Sequence, residues 1–356
     1  MPVLVSENSQ RTNYNMSIIP FLETVLSRRD LTAGEAENAM LSILGGGSST
    51  AQIAAFLVAL RMKGETSEEL LGFARAMREK AQRIDPGPHP EPLVDTCGTG
   101  GDNAGTFNIS TVAAFVVAGA GARVAKHGNR SISSRCGSAD LMEALGVRVL
   151  LSPERMGQAI REVGIGFLFA PAVHTAMQHA QPARLELKLR TVFNILGPLT
   201  NPAGATTQLV GAPSPEAAAL MAQALAALGL VRGFVVHGSD GLDEITTTGP
   251  TLAFEIRAGE VTRRTLTPED FGVGRAAIEE LSGADREANC AIAWSILGGA
   301  AGPRRDIVLV NASAALVAAG KARDFLEGMA LAAESIDSGA ALRKARELAR
   351  FTQQFA

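Results

Sequence analysis

The sequence predicts an α/β fold, in which a small all-helical domain precedes a larger domain with a mostly parallel sheet flanked by helices. Up to residue 83, apolar residues recur at helical spacing. After residue 92, short apolar runs alternate with longer amphipathic ones, a pattern typical of a parallel sheet covered by helices on both faces. The chain has 356 residues, 46% of them hydrophobic, which is enough for a sizeable core.

The first domain is predicted over residues 16–85. Local signals mark the ends of its helices: capping boxes at Thr32 with Glu35 and at Thr66 with Glu69, and a terminating Gly64. Residues 85–92 contain four prolines and cannot continue a helix. We therefore place the domain boundary there.

The second domain is predicted over residues 86–356 and begins with a strand. The predicted strands are Leu93–Cys97, Arg123–Lys126, Gly166–Ala170, Gln208–Gly211, Gly233–His237 and Ile307–Val310. Helices between them start at Ser152-Pro153 and Ser214-Pro215, where a capping Ser precedes Pro at the first helical position. Two further runs, Thr251–Ile256 and Val261–Thr265, predict an antiparallel hairpin at one edge of the sheet.

Composition excludes several classes of function. Lys and Arg number 33 against 36 Asp and Glu, so a net charge of −3 gives no global positive field for nucleic acid or an anionic membrane. The cysteines Cys97, Cys136 and Cys290 have no CxxC spacing, which predicts neither disulfides nor a Cys-based zinc site and indicates a reducing, cytoplasmic location. The longest apolar run, at about 112–122, is too short to span a bilayer.

The strongest local signal is a glycine-rich turn between the first predicted strand and an apolar helix. Residues 98–102 read Gly-Thr-Gly-Gly-Asp, and residues 106–111 read Thr-Phe-Asn-Ile-Ser-Thr. Such a turn presents unpaired backbone N–H groups to an anion. It is not a P-loop, because no Gly-Lys-Ser/Thr follows. The alternative is a turn built only for packing; the hydroxyls and carboxylate around it favour a phosphate site.

A second cluster follows the next predicted strand. Residues 126–134 read Lys-His-Gly-Asn-Arg-Ser-Ile-Ser-Ser, and Ser138 stands at a helix start. Adjacent parallel strands deliver their following loops to one crevice, so this cluster should face the glycine turn. Lys126 and Arg130 are suited to neutralise a polyphosphate, and Ser138 to bind phosphate or metal-bound water. The alternative is a solvated basic turn, and His127 is given no proton-transfer role.

Two further groups of residues are candidates on chemistry alone. Asp243 and Glu244 follow a strand and suggest Mg²⁺ held by oxygen atoms, with a purely structural turn as the alternative. Arg184 is suited to bind an aromatic carboxylate in bidentate fashion, although its spacing alone does not decide this. His174 and His179 are five residues apart, which places them off one helical face and disfavours a zinc site.

Six motifs in one order resemble the anthranilate phosphoribosyltransferase family of tryptophan biosynthesis. They are Gly98-Thr-Gly-Gly-Asp102, Asn108-Ile-Ser-Thr111, Lys126-His-Gly-Asn-Arg130, Gly137-Ser-Ala-Asp140, Val192-Phe-Asn-Ile-Leu-Gly-Pro-Leu-Thr-Asn-Pro202 and Asp240-Gly-Leu-Asp-Glu244. The resemblance runs from about Met16 to the C-terminus. It implies transfer of a phosphoribosyl group from phosphoribosyl pyrophosphate (PRPP) to anthranilate, the second step from chorismate to tryptophan.

The resemblance also implies roles for individual residues. PRPP would be bound by Gly98, Gly101, Asp102, Thr106, Asn108, Ile109, Ser110, Thr111, Lys126, His127, Gly128, Asn129, Arg130, Ser131, Ile132, Ser133, Ser134 and Ser138. Lys126 would be catalytic. Anthranilate would contact Gly98, Asn129 and Arg184. Two Mg²⁺ ions per monomer would be held, one at Ser110 and one at Asp243 and Glu244.

At the level of assembly, the family implies a homodimer with its active site in a cleft between the domains. The small domain would be completed by helices from about residues 174–200. The resemblance also allows an association with anthranilate synthase. One departure is Lys188, where relatives commonly have Gly.

Two alternatives remain from the sequence. A pyrimidine nucleoside phosphorylase resembles this fold but typically has Lys-His before its glycines and an inserted Val-Gly before the Asp. A noncatalytic relative that binds nucleic acid is disfavoured by the net charge and by Asp243 with Glu244.

Overall fold

Four helices open the part of the chain that the structure describes. The computed structural model describes residues 17–88, 91–100, 105–130 and 135–355. The opening helices are α1 (Ile19–Leu26), α2 (Ala33–Leu44), α3 (Thr50–Lys63) and α4 (Ser67–Lys80). Both predicted capping boxes are confirmed, and Gly64 ends α3 with a φ of 89°. At Thr32 the box consists of Glu35 N donating to Thr32 Oγ1 (3.3 Å) and Thr32 N donating to Glu35 Oε2 (2.9 Å).

One mixed sheet contains the seven strands of the described residues. They are β1 (Leu93–Gly98), β2 (Arg123–Gly128), β3 (Ile165–Phe169), β4 (Thr207–Gly211), β5 (Arg232–Gly238), β6 (Thr251–Arg257) and β7 (Glu260–Leu266). Their order is β3-β2-β1-β4-β5-β6-β7. The strands β1 to β5 pair in parallel, whereas β6 and β7 form the predicted antiparallel edge hairpin. The predicted mostly parallel α/β sheet is therefore confirmed.

Helices cover both faces of this sheet. The remaining helices are α5 (Ile109–Gly119), α6 (Ser138–Ala144), α7 (Pro153–Val163), α8 (Ala170–Val173), α9 (Gln181–Leu187), α10 (Phe193–Leu196), α11 (Pro215–Ala227), α12 (Arg286–Leu297), α13 (Pro303–Ala318), α14 (Phe325–Asp337) and α15 (Ala340–Gln353). Short 3-10 turns occupy Thr175–His179, Gly197–Leu199, Pro268–Phe271 and Ile278–Leu281. Among the described helices, none combines the length and the apolar character that crossing a membrane requires.

The predicted strand Ile307–Val310 is wrong. These four residues lie inside α13, where they are buried against α5 and the sheet. A short run of buried apolar residues has the same pattern in a central strand and in a helix that is buried all round. Pro303 at the start of α13 and the alanines that follow favour the helix.

Alternate residues of the central strands enter two apolar cores. Leu209 of β4 packs with α5 and α13. Its neighbour Val210 points the other way, into a core shared by α11 and the helices α1 to α4. In addition, α9 packs against α3 and α10 against α4, so the segment from α9 to α10 returns to the first four helices.

Lys188 ends α9 in a left-handed backbone conformation, with φ 49° and ψ 30°. Its N–H donates to Arg184 O at 3.3 Å, which closes the last turn of the helix. A side chain with a Cβ is disfavoured in this region, and Gly is the residue that commonly ends helices in this way. The conformation explains physically why relatives would have Gly at this position.

We predict that Lys188→Gly raises the free energy of unfolding by about 1 kcal/mol, because it relieves the left-handed strain. Urea unfolding measures the change. The control is Lys188→Ala, which removes the same long side chain but keeps a Cβ and should give no gain. Equal effects of the two substitutions would show that the Lys side chain, not the backbone conformation, matters.

Candidate active site

Asp243, in the loop after β5, packs closely against the carboxyl ends of β1 and β4. A Cβ added to Gly98 would lie 2.7 Å from Asp243 Oδ2, and one added to Gly211 would lie 1.6 Å from Asp243 O. Both positions therefore require glycine for the close approach of this loop. Gly98 was predicted as a site residue. Gly211 was not, although a glycine at the end of a predicted strand was a usable signal.

Asp243 and Glu244 connect the glycine turn to the first turn of α5. Asp243 Oδ2 accepts hydrogen bonds from Gly100 N (2.8 Å) and Thr99 Oγ1 (3.1 Å). Glu244 Oε1 accepts one from Ser110 N (3.1 Å). Both acidic residues are buried, at 7% and 8% exposure. The amides of Gly100 and Ser110, in the region that the sequence predicted to bind an anion, thus already donate to carboxyl oxygens.

Residues far away in sequence fix the loop that carries these carboxylates. Asp240 accepts hydrogen bonds from the hydroxyls of Thr246 and Thr248. Asn311, in the middle of α13, donates to Ile245 O and accepts from Ile245 N, both at 2.9 Å. Sequence reasoning missed Asn311, because nothing local to α13 marks it as a partner of this loop.

Lys126 lies within β2, two residues before its end, in a buried polar network. Its Nζ donates to Thr96 O, and the residue is 1% exposed. The neighbouring Asp95 is fully buried and accepts from His127 N (3.1 Å) and from Asn201 Nδ2 (2.8 Å). Burial raises the pKa of Asp95 to about 6, although the positive charge of Lys126 opposes this rise. Asp95 and Asn201 were not predicted as site residues.

His127 and His174 face each other with ring centroids 5.2 Å apart. Burial lowers the pKa of His127 to about 3 and that of His174 to about 4. His127 Nδ1 lies 3.2 Å from Gly197 O. Both rings are therefore neutral at pH 7 and only weakly basic.

The loop after β2 is tied to the start of α6. Asn129 N donates to Ser138 Oγ, and Ser138 Oγ donates to Asn129 O, each at 3.1 Å. The Arg130 guanidinium donates to Asp140 (2.9 Å) and to Glu143 (2.7 Å). Its charge is thus balanced by two carboxylates, and its role in binding phosphate stays a prediction.

Of the other predicted residues, those that the structure describes lie around this edge of the sheet. Asn108 directly precedes α5, and its Nδ2 donates to Cys136 O at 3.0 Å. Ile109, Ser110 and Thr111 form the first turn of α5. Thr106 forms an isolated bridge with Ser282, and Gly128 ends β2. Six predicted residues lie outside the described part of the chain: Gly101, Asp102, Ser131, Ile132, Ser133 and Ser134.

Arg184 is on α9, in the helical layer that packs against α3 and not in the sheet. Its guanidinium lies 5.2 Å from the centre of the Phe193 ring, and burial lowers its pKa. Stacking on an aromatic ring fixes the plane of the guanidinium, which suits bidentate binding of a carboxylate. The structure describes no hydrogen bond between Arg184 and the residues at the ends of β1 and β2.

Comparison with known proteins identifies the family. The glycosyl transferase family helical bundle domain matches residues 19–81, and the a/b domain of that family matches residues 90–342. An anthranilate phosphoribosyltransferase from Solibacter usitatus is 68% identical over 336 residues, covering 94% of this chain and 99% of the relative. The chain belongs to the anthranilate phosphoribosyltransferase family. A family member from Pelotomaculum thermopropionicum is 55% identical, covering 93% of this chain and 95% of its own length.

Solved structures of the anthranilate phosphoribosyltransferase family share the fold. The enzyme from Thermus thermophilus superposes with a TM-score of 0.88 at 46% identity, covering 93% of this chain and 99% of its own. The Saccharomyces cerevisiae enzyme in complex with PRPP and Mg has a TM-score of 0.86 at 28% identity, covering 95% and 98%. These matches confirm the family predicted from the six motifs and decide against the pyrimidine nucleoside phosphorylase alternative.

We predict that the contribution of Asp95 to the stability of the folded protein falls between pH 4 and pH 6. Its pKa in the folded protein, about 6, is above the ordinary 3.8, so folding favours the protonated form. The stabilisation is complete below pH 3.8 and is lost as the pH rises through 6. A shift of about two pH units corresponds to about 3 kcal/mol.

Urea unfolding of wild type and Asp95→Asn at several pH values measures this loss. The variant cannot ionise at this position and should lack the decline, so the difference between the two proteins changes from pH 4 to pH 6 and is constant above pH 7. Parallel curves across the whole range would contradict the prediction.

Proposed function

We propose that this chain transfers the 5-phosphoribosyl group of PRPP to the amine of anthranilate, releasing N-(5-phosphoribosyl)anthranilate and pyrophosphate. The carrying observation is the meeting of the glycine turn, the start of α5 and Asp243 with Glu244 at one edge of the sheet. Two structures of the Saccharomyces cerevisiae relative support the substrates: one is in complex with PRPP and Mg, the other with 4-fluoroanthranilate.

PRPP binding is supported by the donors of this edge. Gly100 N and Ser110 N hold carboxylate oxygens, and the same N–H groups suit phosphate oxygens. Lys126 adds a buried positive charge between β1 and β2. We propose that these groups, with the other predicted PRPP residues of 98–111 and 126–138, bind the polyphosphate.

The residues at this edge fit Mg²⁺. Asp243 and Glu244 supply carboxylate oxygens beside Ser110, and a hard divalent cation prefers oxygen ligands. Among the described residues, no three His, Cys, Asp or Glu side chains converge, so further ligands would be substrate oxygens, hydroxyls or water. We propose two ions per monomer, one at Ser110 and one at Asp243 with Glu244. Bound Mg²⁺ would offset the negative charge of the departing pyrophosphate.

The reaction breaks the bond between C1 of the ribose and pyrophosphate and forms a bond from C1 to the anthranilate nitrogen. Positive charge develops on the sugar while a highly charged group leaves, so electrostatic stabilisation of that group by Lys126 and the backbone amides lowers the barrier. Holding both substrates in line supplies much of the rest. The amine of anthranilate is neutral at pH 7, so the mechanism needs no strong general base, and burial makes His127 and His174 only weak bases.

We also propose the domain organisation and assembly that the sequence predicted. The packing of α9 on α3 and of α10 on α4 supports a small domain of residues 16–85 completed by helices from about 174–200. Large apolar side chains are exposed on three helices of this region: Leu26 on α1, Met62 on α3 and Leu185 on α9. A second copy of the chain would bury them in a homodimer. The association with anthranilate synthase and the cytoplasmic location stay predictions.

We predict that anthranilate fluorescence decays only when PRPP and Mg²⁺ are both present. In a variant combining Asp243→Asn and Glu244→Gln, the Mg²⁺ concentration for half-maximal rate should rise by about tenfold or more, because two charged oxygen ligands are lost. The amide oxygens can still accept from Gly100 N and Ser110 N, which limits damage to the loop.

The matched control is Glu260→Gln, which removes an exposed acidic group at the start of β7 and should leave the Mg²⁺ titration unchanged. A double variant that titrates like wild type would remove Asp243 and Glu244 from metal binding. Unchanged fluorescence with the wild type, while PRPP still binds, would contradict anthranilate as the acceptor.

We predict that Arg184→Ala raises the KM for anthranilate by about tenfold or more, with little change in the KM for PRPP, since a charged hydrogen bond to one substrate is lost. Steady-state kinetics with each substrate varied in turn measure the two constants. Arg184→Lys keeps the charge without the planar fork and should recover only part of the affinity. Equal rises in both KM values would instead assign Arg184 to the support of the cleft.

A further inference from the structure

The segment that leads into α12 lies against the loop that precedes α5. Gly283 N donates to Gly105 O at 2.8 Å. A Cβ added to Gly283 would lie 2.6 Å from Phe107 N, so this close approach of two backbones requires glycine. In addition, α12 packs against both α5 and α6. A part of the chain that the sequence did not connect with the site therefore contacts it directly.

Asn289, in the first turn of α12, extends this contact through its side chain. The residue is 2% exposed. Its Oδ1 accepts from Ala284 N at 2.9 Å, and its Nδ2 donates to Asn108 Oδ1 at 3.2 Å. Asn108 Nδ2 in turn donates to Cys136 O at 3.0 Å. Three hydrogen bonds in a row thus connect the start of α12 with the residues that precede α5 and α6.

The two ends of this row are backbone groups, and they fix its direction. The N–H of Ala284 can only donate, and the carbonyl of Cys136 can only accept. The Asn289 amide must therefore turn its nitrogen towards Asn108, and the Asn108 amide must turn its oxygen towards Asn289. A rotation of the Asn108 amide by 180° would place its oxygen against the Cys136 oxygen and would lose both hydrogen bonds.

We propose that Asn289 is a positioning residue for PRPP, which acts by fixing the orientation of the Asn108 amide. An amide nitrogen carries two N–H groups, and the hydrogen bond to Cys136 O uses one of those of Asn108. Asn108 is half-buried, so its second N–H can donate to an oxygen of PRPP in one fixed direction. This inference rests on the PRPP binding that we propose for Asn108.

Isothermal titration with PRPP and Mg²⁺, in the absence of anthranilate, tests this role. Asn289→Leu keeps the size of the side chain but removes its hydrogen bonds, so the Asn108 amide is free to rotate. We expect the Kd for PRPP to rise by about tenfold, the loss of one hydrogen bond to a charged group. The KM for anthranilate, measured at saturating PRPP, should change little.

A double variant shows whether Asn289 acts through Asn108. When Asn289→Leu is added to Asn108→Ala, PRPP binding should weaken no further than in Asn108→Ala alone, because the amide to be oriented is already absent. If Asn289→Leu does not fold, Asn289→Ser takes its place in both experiments. The serine side chain is polar but too short to reach Asn108, and the same results are expected.

The matched control is Ser335→Ala, which removes another buried hydrogen bond to α5. Ser335 Oγ donates to Val116 O at 2.8 Å, towards the other end of that helix. The control should lower the melting temperature without changing the Kd for PRPP. It therefore separates a loss of stability from a loss of positioning.

The inference is overturned if the Asn289 variant binds PRPP as tightly as wild type does. It is also overturned if the effects of the two single substitutions multiply in the double variant, or if affinity for PRPP and anthranilate falls equally. Wild-type protein that binds no PRPP would contradict the proposed function itself, and this inference with it.

Discussion

The hydrogen bonds from Gly100 N and Ser110 N to the carboxylates of Asp243 and Glu244 organise the rest of this site. They bring negative charge to the carboxyl edge of a parallel sheet, where two glycines leave space for it. The loop after β5, which carries both carboxylates, is held in place by two hydrogen bonds between the Asn311 side chain on α13 and the backbone of Ile245. Because these contacts join β1, α5 and the loop after β5, a shift in any one of them would displace the others.

This arrangement gives a physical reason for the Mg²⁺ proposed at this site. Pyrophosphate and the two carboxylates have the same sign of charge and would compete for the same N–H donors. Lys126 supplies one nearby positive charge, but the buried Asp95 offsets part of it. Further positive charge is therefore needed before a polyphosphate and both carboxylates can share the edge of the sheet.

The features that the sequence predicted correctly depend on residues close together in the chain. The capping box at Thr32 and the hairpin of β6 and β7 are both local. The contacts that could not be predicted from the sequence join residues far apart in the chain. The hydrogen bond from Asn201 to Asp95 spans 106 residues, and the one from Ile245 to Asn311 spans 66. The strand wrongly predicted at Ile307–Val310 failed because burial on all sides removes the periodicity that separates helix from strand.

The two substrates would be held by different layers of the molecule. The described residues that we propose for PRPP lie at the sheet edge, whereas Arg184 is on α9, which packs against α3. These layers are joined through one apolar core, since Val210 of β4 and the residues of α11 pack together with the first four helices. Burying this continuous apolar surface opposes wide separation of the layers. The core that stabilises the fold therefore also sets the distance between Arg184 and the glycine turn, on which in-line transfer depends.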